Sequence, residues 1–287
     1  MNIRCRWTSI RTSLLLLGAL QTVCAQTVSL QSLLAEMTDR DAVARFPTPL
    51  YRCLQASSYN RASTSRTQPN QDVTGWFADS DGLGFIRREE INGRTEWVIL
   101  EHLGPGCLTK FWTPFFYYGF EDRKGPNVRV YLDGTNTPVL DESLIELVTG
   151  RGSFRPPFSA QTARAGNCYL PIPFDQSCKV TMTAKPFYHL INYRAYAADT
   201  KVETFTRARY DAATAALERA GQALLAPPEV HSGKIREATK LDPGSRLEVE
   251  LPAGPAALRQ FTERLTAAAA NPEVLRSTAL SMAFHDQ

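Results

Sequence analysis

The sequence predicts an all-β jelly-roll sandwich that consists of one complete copy, a connecting helix and the start of a second copy. Three observations support this fold class. Short runs rich in β-branched and aromatic residues alternate with turn residues across residues 75–195, and no helical pattern intervenes. One long helical pattern follows at residues 204–225. Strand-like residues then return at 246–251.

The composition fits a folded protein and excludes some partners. The chain has 287 residues, a net charge of +3 and 43% hydrophobic residues, enough for one large or two ordinary cores. No block of basic residues runs through it, so the electrostatic footprint of a nucleic-acid-binding protein is missing. We therefore expect no nucleic-acid partner.

The N-terminus has the three-part layout of a secretory signal. Three arginines precede an apolar run at residues 14–20, and small residues allow cleavage after Ala25. The run is about half the length that spans a bilayer, so we expect no stable membrane insertion. Cys24 leaves a lipoprotein signal as the alternative, although the residues before it fit lipid attachment badly. We predict an exported, periplasmic or extracellular protein.

Four cysteines remain after residues 1–25: Cys53, Cys107, Cys168 and Cys178. In an oxidising compartment they allow one disulfide, and the alternative is four free thiols in a core that needs no cross-link. The sequence leaves both open.

The first elements of the mature chain are a helix, a loop and a series of strands. Helical spacing predicts a helix over residues 32–45, ended by Pro47, and a Ser/Thr/Arg/Asn-rich composition predicts a loop over 56–70. Asn92-Gly93 and Asp133-Gly134 are typical hairpin turns. The predicted strands lie at residues 75–77, 84–88, 96–100, 108–116, 128–132, 137–140, 169–174, 179–184 and 189–195.

The second helix, at residues 204–225, has one apolar face, and Pro227-Pro228 ends it and marks a boundary. We divide the chain into a signal peptide (1–25), a first jelly roll with its N-terminal helix (26–203), a connecting helix and linker (204–228) and an incomplete second jelly roll (229–287).

An internal repeat supports this division. The segment at residues 104–111, which begins Gly-Pro and ends Leu-x-x-Phe, is echoed at 254–261, 150 residues later. The apolar alternation at 128–132 is matched at 280–284, at an offset of 152. The similar offsets indicate a duplicated sandwich whose second copy lacks its last strands. A chance echo of a Gly-Pro turn is the alternative.

Several motifs in the same order resemble a known bacterial family. They are Ser-Leu-Leu-Ala-Glu-Met-Thr-Asp-Arg-Asp at 32–41, Arg-Phe-Pro at 45–47, Gln-Ala-Ser-Ser-Tyr-Asn-Arg at 55–61, Gly-Trp-Phe-Ala-Asp-Ser-Asp at 75–81, Gly-Pro-Gly at 104–106, Tyr-Leu-Asp-Gly at 131–134, Tyr-Leu-Pro-Ile-Pro-Phe at 169–174 and Ile-Asn-Tyr-Arg at 191–194. Together they resemble the opening of glycoside hydrolase family 172 and cover about residues 30–205.

The resemblance implies a double jelly roll that assembles as a homotrimer or hexamer and cleaves furanosides such as fructofuranosides or arabinofuranosides. It also implies a retaining mechanism with two glutamates in the second jelly roll. That mechanism requires two carboxyl groups about 5 Å apart. No position of this chain matches them, so the catalytic residues stay unassigned and we expect the chain to lack the pair.

The first substrate candidates are Trp76, Asp79 and Asp81. A sugar takes carboxylates on its hydroxyls and an aromatic ring on its C–H face, and this stretch offers both. An Asp-rich turn with Trp76 in the core is the alternative. The stretch lacks the rest of a calcium loop, and we expect neither metal nor cofactor.

Further candidates follow in a loop and on two strands. Ser58, Tyr59 and Arg61 offer hydroxyls and a guanidinium to a sugar, or else bond to their own loop backbone. Trp112 forms a subsite floor or packs with its phenylalanine neighbours. Asn192 and Arg194 share one face of a predicted strand and either complete a pocket in a neighbouring subunit or form an ordinary half-exposed strand.

Other chemistry finds little support. Glu89 and Glu90 are adjacent, so on a strand they point to opposite faces and only one can enter a cleft. Motifs of serine hydrolases, zinc proteases and nucleotide-binding loops are missing from the sequence. Two function classes therefore remain: a furanosidase, and a non-catalytic carbohydrate-binding or assembly module.

Overall fold

The computed structural model describes residues 27–59, 84–114, 125–185, 188–227, 233, 235–252, 254, 258, 260–264 and 272–283. Eleven strands and several short helices lie in these ranges. They are α1 (Leu30–Glu36), a 3-10 helix (Ala42–Ala44), β1 (Tyr51–Ser57), β2 (Arg87–Ile91), β3 (Arg94–Leu103), β4 (Gly106–Pro114), β5 (Asn127–Leu132), β6 (Leu140–Ser143), α2 (Leu144–Thr149), β7 (Ser159–Thr162), β8 (Ala165–Cys168), β9 (Ile172–Phe174), β10 (Ser177–Met182), β11 (Leu190–Tyr196), α3 (Arg207–Ala212), α4 (Thr214–Leu225) and α5 (Pro272–Ser277).

The strands form two antiparallel sheets, which confirms the predicted sandwich. The six-stranded sheet has the order β1-β11-β4-β8-β7, with β9 also paired to β4, and the five-stranded sheet has the order β2-β3-β10-β5-β6. The predicted turns are present: Asn92 and Gly93 have φ of 53° and 74°, and Asp133 and Gly134 have 52° and 71°. At Asn92-Gly93, which joins β2 directly to β3, positive φ at both central residues matches the right-handed twist of hairpin strands, whereas Asp133-Gly134 opens the longer connection from β5 to β6.

The core lies between the two sheets because their inward-facing residues alternate with outward-facing ones. α2 and the segment after it close one end of this core, and Phe154 there is fully buried. The main apolar contributors from the strands are Ile99, Leu100, Leu108, Phe111, Val128, Val130, Leu132, Ile172, Phe174, Val180, Met182 and Ile191.

The N-terminal helix is shorter than predicted. α1 ends at Glu36, and a turn separates it from the 3-10 helix, instead of one helix over residues 32–45. It begins at Leu30, two residues before the predicted start, because Ser29 and Ser32 form a reciprocal capping box. The predicted start of the following loop, at residue 56, is also wrong, because β1 continues to Ser57 through its pairing with β11.

Three later predictions need correction. The strand predicted at 137–140 lies at Leu140–Ser143, where it pairs with β5. The helix predicted over 204–225 is divided at Ala213, which is buried and leaves the helical region with φ −88° and ψ 10°. Residues 246–251 are exposed and form no strand, since none of the described segments pairs with them.

The second sandwich copy stays a prediction, and the strand predicted at 75–77 lies outside the described residues.

The four cysteines are free thiols, with Cys53 exposed and the other three buried. Burial raises the pKa of Cys107 and that of Cys168 to about 12, so both thiols stay protonated at neutral pH. Among the described residues, no helix has the length and apolar character required to cross a bilayer.

Candidate functional site

A shallow groove lies at one end of the six-stranded sheet, where β1 ends, β4 ends and β11 begins. Its volume is about 250 Å³. We call it the Trp112 groove; it is lined by Ser57, Ser58, Tyr59, Trp112, Tyr188, His189 and Leu190. The sheet order β1-β11-β4 explains why three segments that are distant in sequence meet here.

Hydrogen bonds to backbone groups hold the walls of the groove in place. The Ser58 amide donates to the His189 carbonyl at 3.2 Å, and the His189 amide donates to Ser58 Oγ at 3.1 Å. Thr113 Oγ1 donates to the Tyr188 carbonyl at 2.9 Å. Gly84 approaches Ser58 so closely that an added Cβ would lie 2.4 Å from the Ser58 Cα. The loop after β1 is therefore held from two sides.

The groove offers aromatic and hydroxyl groups to a ligand. Trp112 is half-buried, and its indole N–H donates to no other described residue. Tyr59 is 58% exposed. Because a half-buried indole N–H normally finds a partner, a ligand hydroxyl is a suitable acceptor here. None of the described lining residues is an acid, so the groove can bind a polar ligand but supplies no carboxyl group of its own.

The structure brings some of the site residues predicted from the sequence together and not others. Ser58, Tyr59 and Trp112 come together in the groove. Asn192 lies on the same sheet face one row away, because its register neighbours are Gln55 and Lys110. The others, Arg61, Trp76, Asp79 and Asp81, lie outside the described residues.

Arg194 lies further along the same face, away from the groove. Its Nη1 and Nη2 contact the carboxylate of Glu36 at 2.9 and 2.8 Å, and its guanidinium lies 4.2 Å from the centre of the Tyr51 ring. These contacts dock α1 on the outer face of the six-stranded sheet. The geometry therefore favours a structural contribution from Arg194.

Two carboxylates stand opposite each other on the five-stranded sheet, Glu89 on β2 and Glu96 on β3. Lys179 and Arg87 hydrogen-bond to Glu89, and these contacts outweigh burial and lower the pKa of its carboxyl. Glu96 is fully buried. A general acid must reach substrate and hold a proton near neutral pH, so this pair does not suit the two catalytic positions.

Glu89 and Glu90 do point to opposite faces, as predicted. Glu90 accepts a hydrogen bond from Thr95 Oγ1 at 2.5 Å on the face opposite to Glu96. In the described part of the chain, no group of three or more His, Cys, Asp or Glu side chains is arranged to hold a metal ion.

On the outer face of the six-stranded sheet, sequence reasoning missed four residues in or next to the Trp112 groove: Gln55, Lys110, Tyr169 and Tyr188. Lys110 was detectable, because it alternates with Trp112 on one strand and so shares its face. Tyr169 follows β8, and its proximity to Lys110 depends on the non-local pairing of β4 with β8.

A comparison with protein families gives one match. The family model described as GH172 first beta-sandwich domain matches residues 49–213, more than half of the chain. The matched range contains all eleven strands and the Trp112 groove. No curated protein matches the chain.

Proposed function

Because the chain belongs to glycoside hydrolase family 172, we propose that it acts on furanosides, with fructofuranoside or arabinofuranoside linkages as substrates. The observation that carries the proposal is the Trp112 groove, in which an indole and hydroxyl groups meet. A sugar ring presents a C–H face to an aromatic side chain and hydroxyls to polar partners, and the groove supplies both kinds of contact.

The bond-breaking step needs groups that the groove does not contain. Retaining hydrolysis uses one ionised carboxylate as nucleophile and one protonated carboxyl group as acid, about 5 Å apart. Glu89 is ion-paired and Glu96 is buried, so we place the pair outside the described residues. We therefore expect the first sandwich to supply sugar contacts and not the reacting acids.

One observation favours a second candidate function, carbohydrate binding without hydrolysis. The described residues that line the groove contain hydroxyl, imidazole and indole groups and no acid. Such a groove orients a sugar without cleaving it. The two functions are distinguished by turnover and not by affinity.

The experiment measures both quantities on the full chain. Nitrophenol release is followed with 4-nitrophenyl arabinofuranoside and fructofuranoside, with the arabinopyranoside as the specificity control. Affinity for the methyl furanosides is measured by calorimetry. Trp112→Leu is compared with Trp97→Leu, which removes a half-buried tryptophan from the other sheet.

The proposal expects furanoside binding that Trp112→Leu weakens and Trp97→Leu preserves, together with slow furanoside turnover. Binding without turnover would support the second candidate. Equal affinity for furanosides and pyranosides would contradict the proposed substrate class.

We further propose that the protein is exported and assembles as a homotrimer or hexamer. The export proposal is supported by the arginines and apolar run before residue 25. A mature N-terminus at Gln26 is the expected result of mass spectrometry on secreted protein. Light scattering measures the assembly, and a monomer at micromolar concentration would contradict it.

A further inference from the structure

We propose that the outer face of the six-stranded sheet carries an extended binding strip for an uncharged oligosaccharide, next to the Trp112 groove. We call Gln55, Asn192, Lys110 and Tyr169 the amide strip. This inference goes beyond the proposed hydrolysis, because binding to the amide strip requires no bond cleavage. Only the furanose chemistry of the probes below rests on the proposed function.

The register of the sheet places these residues in one row. Gln55 on β1 faces Asn192 on β11, and Asn192 faces Lys110 on β4. The Lys110 ammonium lies 5.4 Å from the centre of the ring of Tyr169, the residue directly after β8, which continues the row to the position of β8 in the sheet. Neighbouring strands are about 4.8 Å apart, so the row crosses roughly 14 Å of sheet. That is longer than a single sugar ring.

The row beside it contains the groove. Ser57 faces Leu190, Leu190 faces Trp112, and Trp112 faces Asn167. The two rows share a face because their members are two residues apart along β1, β11 and β4. A ligand that begins at Trp112 can therefore continue along the amide strip without leaving the surface.

The side chains of the strip suit hydroxyl-rich ligands. Asn192 Nδ2 donates to Gln55 Oε1 at 3.4 Å, which leaves the side-chain Nε2 of Gln55 and the side-chain Oδ1 of Asn192 without partners among the described residues. Tyr169 is 44% exposed and presents an aromatic ring at the far end. Amides that both donate and accept, together with an exposed ring, are the contacts that a sugar chain uses.

Other polymers fit the strip less well. Lys110 is its one cation and lies over Tyr169, so it cannot track a polyanionic backbone. A peptide strand adds to the edge of a sheet, whereas three of the four strip residues lie on or directly after the interior strands β11, β4 and β8, and one, Gln55, lies on the edge strand β1. The amides make the surface too polar for an apolar helix. An uncharged oligosaccharide is the occupant that these constraints favour.

The test titrates the full chain by calorimetry with methyl furanosides and with linear arabino- and fructo-oligosaccharides of increasing length. Tyr169→Ala and Asn192→Ala remove strip contacts, and Tyr169→Phe keeps the ring. Gln161→Ala is the matched control, because Gln161 is an exposed amide that points to the opposite face of β7. Circular dichroism verifies the fold of each variant.

We expect affinity to rise with chain length in the wild-type protein. Tyr169→Ala should remove that gain in affinity. We expect the gain to be about tenfold, which is the upper range for one aromatic contact. Tyr169→Phe and Gln161→Ala should retain it, and affinity for methyl furanosides should be unchanged in every variant. Affinity independent of length in the wild type, or unaltered by Tyr169→Ala, would overturn the proposal.

The outcome also separates this inference from the proposed hydrolysis. Furanoside turnover without a length-dependent gain in affinity would overturn the strip and leave the hydrolysis standing. A length-dependent gain without turnover would support the strip and favour the non-catalytic function.

Discussion

The guanidinium of Arg194 on β11 forms an ion pair with the carboxylate of Glu36 at the end of α1, through two contacts of 2.9 and 2.8 Å. The same guanidinium stacks over Tyr51 on β1. The pair therefore joins the N-terminal helix to the two strands at one edge of the six-stranded sheet. Beneath it, Cys107 and Tyr196 belong to a small separate apolar cluster.

We expect Arg194→Ala to loosen α1 and to lower the free energy of unfolding by about 1–2 kcal/mol, since it removes both a part-exposed ion pair and a cation–π contact. Glu36→Gln should cost less, about 0.5–1 kcal/mol. Hydrogen exchange of the α1 amides measures the loosening. If Arg194 contacts sugar instead, Arg194→Ala will weaken furanoside binding while α1 keeps its protection.

Asp133 should be a strong determinant of stability. Its Oδ1 accepts the backbone N–H groups of Asp175, Gln176 and Ser177 at 3.1, 2.7 and 3.1 Å, and its Oδ2 accepts the Thr204 hydroxyl. Asp133→Ala removes the acceptor of all four donors, although the Asp175 amide keeps its hydrogen bond to Thr204 Oγ1 at 3.2 Å, and should cost about 2–4 kcal/mol.

The control for this prediction is Asp133→Asn, which keeps one acceptor oxygen and tolerates the positive φ at this position. It should lose clearly less stability than Asp133→Ala in urea unfolding. Equal losses for the two variants would show that the carbonyl-type acceptor contributes nothing.

Glu96 should behave as a buried ion-pair partner. It accepts from Arg129 Nη1 at 2.7 Å, from the Tyr131 hydroxyl at 2.9 Å and from Thr181, while Arg129 also pairs with Asp141 at 2.8 Å. Glu96→Leu removes one of the two carboxylates that pair with the largely buried Arg129 and should cost about 3 kcal/mol, the lower end for a broken buried pair, because Asp141 remains as a partner. The double variant Glu96→Leu/Arg129→Met should lose less than the sum of the single variants. Additive losses would contradict this coupling.

The pH dependence of stability should contain a contribution from His102. Burial lowers the pKa of its imidazole from 6.5, so the folded state favours the neutral ring that packs against Phe174 and Tyr193. The unfolded state binds the proton first as the pH falls, so stability decreases from about pH 6.5 downward until the folded pKa is passed. Between pH 7.5 and 5.5, His102→Gln should lose less stability than the wild type in urea unfolding. Parallel losses in the two proteins would exclude this contribution.

Much of the fold was predictable because local signals agree with it. The Asn92-Gly93 hairpin and the apolar alternation of Val128, Val130 and Leu132 are visible in the sequence and confirmed by the structure. β8 was not predictable, because Ala-Gly-Asn-Cys lacks strand propensity and becomes a strand through its pairing with β4 and β7. α2 was missed, although the Ser143 hydroxyl that accepts from the Glu146 amide is a recognisable N-cap.

The candidate site was predictable in its residue types and not in its assembly. Ser58, Tyr59 and Trp112 were chosen for their chemistry, and the structure brings them together. The amide strip depends on the pairing of β1 with β11, whose residues Gln55 and Asn192 are 137 positions apart. Pairings of such separation are set by tertiary packing, which local sequence patterns do not encode.

The most direct test of furanoside binding at the Trp112 groove follows the tryptophan indole N–H resonances by NMR during titration with methyl arabinofuranoside. We predict that the Trp112 resonance shifts with saturation, that the Trp97 resonance stays in place, and that the corresponding pyranoside produces no comparable shift. A Trp112 resonance that does not move, or that responds equally to the pyranoside, would contradict the account.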